Sequence, residues 1–146
     1  MASQKSRWYL NVVLILTVLV CSTILLLHFK NWVTLDKEKI ALRSGFYHVS
    51  IPFNELDSVQ IVPRIPPMLR VNGFSALEKE KGIFREFKDS LTDKKVYVFA
   101  DNINQQKLKL VYADSLVVFF NLKDSLETLQ IMERLKTNVV SSENPN

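Results

Sequence analysis

The apolar positions of this chain follow three successive rhythms. The first is an unbroken block. From Trp8 to Phe29, 22 residues run without a charge, and at about 1.5 Å of rise per residue a helix of that length crosses roughly 30 Å of hydrocarbon. Asn11, Thr17, Ser22 and Thr23 are its conspicuously polar members, while Trp8 and Tyr9 at one end and Phe29 and Trp32 at the other match the aromatic belts of membrane interfaces. The second rhythm has period two. Ile40–Arg43 and Phe46–Ile51 predict two strands around Ser44-Gly45, the second ended by Pro52, which has no N–H for a ladder. After a turn at Phe53–Leu56, the run Asp57–Val62 alternates with Val59 and Ile61 on one face.

Further strands are expected at Ile83–Phe87, Val96–Phe99, Lys107–Tyr112 and Leu116–Phe120. Turns at Asp89–Asp93, Asp101-Asn102 and Asp114-Ser115 separate them, and an antiparallel meander is the economical arrangement. The third rhythm is helical. Leu126, Leu129, Met132, Leu135 and Val139 recur at steps of three and four, with Asp124 and Glu127 spaced as a capping box and Ser125 as the other candidate cap.

One stretch breaks the strand pattern. Pro63 to Phe84 holds three of the five prolines and two of the three glycines, so it reads as a shaped crossover between strands. Within it, Glu78-Lys79-Glu80-Lys81 has the alternating charge of a solvated loop face.

At 146 residues, 47% of them apolar, the chain has room for one packed domain plus an anchor. The expected division is a tail and transmembrane helix over residues 1–30, a linker over 31–39, a domain over 40–140 and a disordered tail over 141–146. The net charge of +4 does not point to nucleic acid. Lys5, Arg7 and Lys30 lie in the first 30 residues without an acid, and the remainder carries sixteen basic against fifteen acidic residues with no basic stripe to track phosphates. The basic start also suits a cleaved signal peptide, but the apolar run exceeds a usual signal core and no small-x-small site closes it. A single-pass location in the cell membrane is therefore expected. Lys5 and Arg7 on one flank nearly balance Lys30, Lys37, Lys39 and Arg43 on the other, so flanking charge assigns the domain to neither side.

The segments Tyr47–Pro52, Leu56–Val59, Pro66–Phe74 and Gly82–Phe84 resemble the bacterial pleckstrin-homology (PH) domain family over roughly Ile40 to Lys136. The resemblance implies a mainly β fold, a PH-like seven-stranded bent sandwich or barrel capped by a C-terminal α-helix, here preceded by one transmembrane helix. It also implies a binding or scaffolding module without catalytic machinery, recognising a protein, a peptide or a lipid headgroup at the membrane. Basic residues near the first strand pair serve phosphoinositide-binding members of the wider superfamily. Here Lys37, Lys39 and Arg43 are interrupted by Glu38 and followed by aromatic residues.

No catalytic, cofactor or metal site is expected. His28 and His48 are far apart, the lone Cys21 lies in the apolar run, and neither a serine elbow nor a phosphate-binding glycine loop is present. The candidate ligand residues are Arg64, Arg70 and Asn72, whose forked guanidinium and amide groups suit an anion or a partner's backbone. Gly73, Gly82 and Phe84 are candidates for shaping the backbone around them. The alternative function is a structural subunit of a membrane complex, assembled through Thr17, Ser22 and Thr23 of the transmembrane helix.

Overall fold

The computed structural model describes residues 2–87 and 94–143, and the side chains of residues 7–87 and 94–138. The turn expected at Asp89–Asp93, the side chain of Val139 and the last three residues of the expected tail lie outside that range. The apolar block forms one helix, α1 (Ala2–Phe29). Its stretch Arg7–Phe29 contains an 18-residue window with a mean hydropathy of 2.7, none of it buried against the protein, so it is long and apolar enough to cross a membrane.

Nine strands follow among the described residues, in two sheets. β1 (Asn31–Leu35), β2 (Lys39–Ser44) and β3 (Tyr47–Pro52) form an antiparallel three-stranded sheet. A 3₁₀ turn at Phe53–Glu55 leads into the second sheet. This is built from β4 (Leu56–Val62), β5 (Met68–Ala76), β6 (Lys79–Glu86), β7 (Val96–Ala100), β8 (Lys107–Tyr112) and β9 (Leu116–Asn121), in the order β4-β8-β9-β7-β6-β5. α2 (Ser125–Glu143) follows, carrying helix into residues expected to belong to the tail. The fold is mainly β with a helix at each end.

Two of the nine strands come from segments read otherwise in the sequence. β1 lies where a linker is expected. Its inward positions are Asn31, Val33 and Leu35, and the polar first residue masks the alternation. The supposed crossover is a hairpin. β5 and β6 pair antiparallel through a two-residue turn at Leu77-Glu78, with Gly73 directly opposite Gly82. The two glycines have φ of +134° and +153°, and a Cβ on Gly82 would meet the Asn72 carbonyl oxygen at 2.1 Å. Without side chains the two backbones come closer than any other residue pair would allow.

The meander is also rearranged. β9 lies between β8 and β7, antiparallel to the first and parallel to the second. The reason is burial: Val118 and Phe120 face one core and Val117 and Phe119 the other, so an all-apolar strand takes a central place. The connection over residues 101–106 then has to pass across the end of β9. Asn121 fastens it there, accepting from the Asp101 and Asn102 amides at 2.9 and 3.2 Å and donating to the Asn102 and Gln106 carbonyls at 2.6 and 3.2 Å.

Two cores result. The larger joins Ile40, Leu42, Val49 and Ile51 of the small sheet to Phe99, Leu108, Leu110, Val118 and Phe120 of the large one, and α2 closes it with Ile131, Met132 and Leu135. The buried helix face is Thr128-Ile131-Met132-Leu135, whereas Leu126 and Leu129 are 65% and 38% exposed. The expected stripe is thus rotated, because Thr128 accepts a bond from the Leu122 amide and donates to the Asp124 carbonyl, turning its own side inward. Asp124 is the cap, its Oδ1 accepting from the Leu126 amide at 2.8 Å.

The smaller core groups Phe84, Val96, Val98, Ala100 and Phe119 with Val62, Ile65 and Met68. Its existence follows from chain length. Flat, the outer strands of a six-stranded sheet would stand about 24 Å apart. The link from Val62 to Met68 reaches about 21 Å at most, so the sheet curls and brings β4 toward β5 over this second core.

Candidate functional site at the helix–domain junction

The last turn of α1 abuts the β body, its side chains touching two hairpins. On one side is the β2–β3 turn, where Gly45 adopts φ +59° and a Cβ would lie 2.4 Å from the His28 ring. Phe46 stacks edge-on against that ring at 4.9 Å. On the other side the β5–β6 hairpin brings Phe74 to 5.8 Å from His28 and sets the Lys79 ammonium 4.8 Å above the Phe29 ring.

Beneath the helix end lies a buried polar cluster. The Lys81 ammonium donates to the His28 carbonyl at 3.0 Å and pairs with Asp101 Oδ1 at 2.8 Å. A carbonyl in the last helical turn thereby gains the donor that the helix itself cannot supply, and a cation meets the negative end of its dipole. Lys79 adds a second contact to the same carboxylate oxygen at 3.3 Å. Asp101 Oδ2 accepts from the Asn31 amide at 3.0 Å, two residues past the end of α1. Asn31 in turn donates through Nδ2 to the Phe99 and Asn121 carbonyls and accepts from the Ser44 hydroxyl at 2.6 Å. Burial lowers the Lys81 pKa below its ordinary value; the hydrogen bond and charge of Asp101 oppose that shift, and the charge of Lys79 adds to it.

The alternating-charge run is therefore not a solvated face. Strand pleating turns Lys81 inward opposite Phe99, and its side chain is wholly buried. Nothing local in the sequence marks this, because Asp101, its partner, lies twenty residues away. Lys107 is a second buried lysine, donating to the Pro63 and Ile103 carbonyls, with its pKa lowered mainly by burial.

Two clefts flank the helix end. One, of about 870 Å³, runs between Phe29, Lys30, the Leu77–Lys79 turn and the start of α2. The other, of about 760 Å³, is bounded by Leu27, Phe46 and the outer face of the small sheet, where Trp32, Arg43 and His48 stand in one cross-strand row.

The residues expected to bind a ligand are not gathered into one site. Arg64 lies in the link between β4 and β5. Arg70 lies opposite Phe84 and Asn72 opposite Ile83, because a bulge at Val71 breaks the register and turns side chains two apart to opposite faces. Arg70 reaches forward along the strand and donates to Ser75 Oγ at 3.3 Å, and Ser75 donates to Glu80 at 3.2 Å. The Gly73–Gly82 pair between those rows has no side chain to block the path. Phe84 is buried in the smaller core. Among the described residues no group of three or more His, Cys, Asp or Glu side chains is placed to hold a metal ion.

No protein-family profile, curated protein or solved structure matches the chain.

Proposed function

We propose that this chain is a non-catalytic, membrane-tethered PH-like domain that recognises a protein or peptide at the membrane surface, a lipid headgroup being the second ligand class. The observation that carries the proposal is the capture of the His28 carbonyl by the Lys81–Asp101 pair. A segment destined for cleavage has no need of a built seat in the mature domain, whereas a permanent tether that must hold a binding face at a set angle does. The uncovered apolar length of α1 supports the same reading, since only lipid or another helix would satisfy it.

The peptide-binding face in this proposal is β5, an outer strand of nine residues whose Leu69 and Val71 are 58% and 52% exposed. An extended segment adding to such an edge gains main-chain hydrogen bonds without a special side-chain motif. The structural-subunit reading has less support. Thr17 and Thr23 already donate to the Val13 and Leu19 carbonyls of their own helix, at 2.9 and 2.8 Å.

Photo-crosslinking side chains placed singly at Leu69, Val71, Leu14 and Val18 of the full-length chain, activated in intact membranes, test the proposal. Protein adducts from β5 are expected. Adducts confined to the two helix positions would replace it with the subunit reading.

A further inference from the structure

Leu77 is held against two local preferences at once. It occupies the first central position of the β5–β6 turn with φ +56°, a conformation that strains a residue bearing a Cβ and is normally given to glycine. It is also 91% exposed, the most exposed of the large apolar side chains among the described residues. Phe46, at the tip of the β2–β3 hairpin, is 74% exposed in the same way. Neither tip packs into a core of the β body.

What the two tips share is position. Phe46 borders the same cleft as Leu27 and stacks on His28, so it lies beside the last apolar turn of α1. Leu77 borders the same cleft as Phe29, and Lys79, two residues on, has its ammonium over the Phe29 ring. The tips therefore stand on opposite sides of the helix at the level where its apolar stretch ends.

We propose that Phe46 and Leu77 enter the lipid interface on either side of α1, so that the β body rests on the bilayer at three points and does not swing from a single stalk. The proposal depends on α1 crossing the membrane. Apolar burial of both tips would offset the exposure and the turn strain described above. Three contacts around one rigid joint would also fix which faces of the domain point away from the lipid.

The test uses the full-length chain with Cys21→Ser, reconstituted into phosphatidylcholine vesicles containing phosphatidylglycerol. An environment-sensitive fluorophore is attached at Leu77→Cys, Phe46→Cys, Leu69→Cys or Val18→Cys in separate samples. Labels at Leu77 and Phe46 are expected to emit further to the blue than the label at Leu69 and to be quenched by lipids spin-labelled near the headgroup. The label at Val18 should be quenched by lipids spin-labelled deep in the acyl chain. If the Leu77 label matches the water-exposed Leu69 label while Val18 is quenched, the seating is overturned and the spanning helix stands. If Val18 is not quenched either, the spanning reading itself fails. Leu77 decides the outcome, because its side chain is nearly all in solvent and its replacement removes no packing within the domain.

Discussion

The Lys81 ammonium lies 2.8 Å from the Asp101 carboxylate, and neither side chain is exposed by more than 1%. Two opposite charges in such a place are costly to separate, because the survivor stays buried without a partner. The cost is unequal for the two residues. Asp101→Asn leaves Lys81 with neutral acceptors and no counter-charge, whereas Lys81→Met leaves Asp101 with the Lys79 ammonium at 3.3 Å. Asp101→Asn is expected to destabilise the folded chain by about 3–5 kcal/mol and Lys81→Met by roughly half as much. Thermal and urea unfolding of the full-length protein in detergent micelles measures both, and equal small losses would contradict the geometry.

Asn31 uses its amide N–H, its side-chain oxygen and its side-chain nitrogen in four hydrogen bonds within the protein. Replacing it by alanine strands the Ser44 hydroxyl and the Phe99 and Asn121 carbonyls away from water, at an expected cost of about 3 kcal/mol. Asn31→Asp should be at least as harmful, since it removes two donors and places a carboxylate near that of Asp101. Unfolding midpoints of the two variants, compared with Asn104→Ala in an exposed turn, check the ranking.

The glycine pair makes a sharper structural prediction. A methyl group on Gly82 meets backbone at 2.1 Å and on Gly73 at 2.2 Å, and backbone cannot step aside as a side chain can. Gly82→Ala is expected to cost about 2–4 kcal/mol and to separate β5 from β6. Val71→Ala, at the bulge on the same hairpin, should change stability by about 0.5 kcal/mol or less. Amide hydrogen exchange along β5 distinguishes local opening from global loss.

Burial, with a smaller contribution from Tyr97, raises the Tyr112 phenol from 10.0 to about 12. The unfolded chain therefore releases this proton first as pH rises, so the stability associated with Tyr112 is complete below about pH 10 and is lost between about pH 10 and 12. Lys81 acts in the opposite sense, since its folded pKa lies below the unfolded value of 10.5 and folding is favoured as pH rises between the two. Tyr112→Phe isolates the tyrosine. Between about pH 9 and about pH 11.5 the variant should lose roughly 1–2 kcal/mol less stability than the parent, read from urea midpoints.

Much of the architecture follows from local pattern. An uncharged apolar run of 22 residues specifies one long helix apolar enough to cross a membrane, and strict alternation over Phe46–Ile51, Asp57–Val62 and Lys107–Tyr112 places one side of each segment against a core. The terminal helix and its Asp124 cap are read from short-range spacing for the same reason. The seven strands expected from local pattern are all among the nine found, and β1 and the β5 arm of the hairpin are the additions. Arg64, Arg70 and Asn72 are recognisable by chemical type, but type is silent about direction. One bulged residue, Val71, sends Arg70 and Asn72 to opposite faces.

By itself, the sequence determined which segment is long and apolar enough to cross a membrane, where most strands begin and which helix shuts the larger core, because each depends on residues within a few positions of one another. Tertiary structure alone decided that β9 divides β7 from β8, that the β5–β6 hairpin lies beside the end of α1, and that Lys81 is buried there. Those outcomes rest on pairings across 20 to 90 residues, such as Lys81 with Asp101 and Asn31 with Asn121. Neither partner carries a mark of the other until packing brings both out of water.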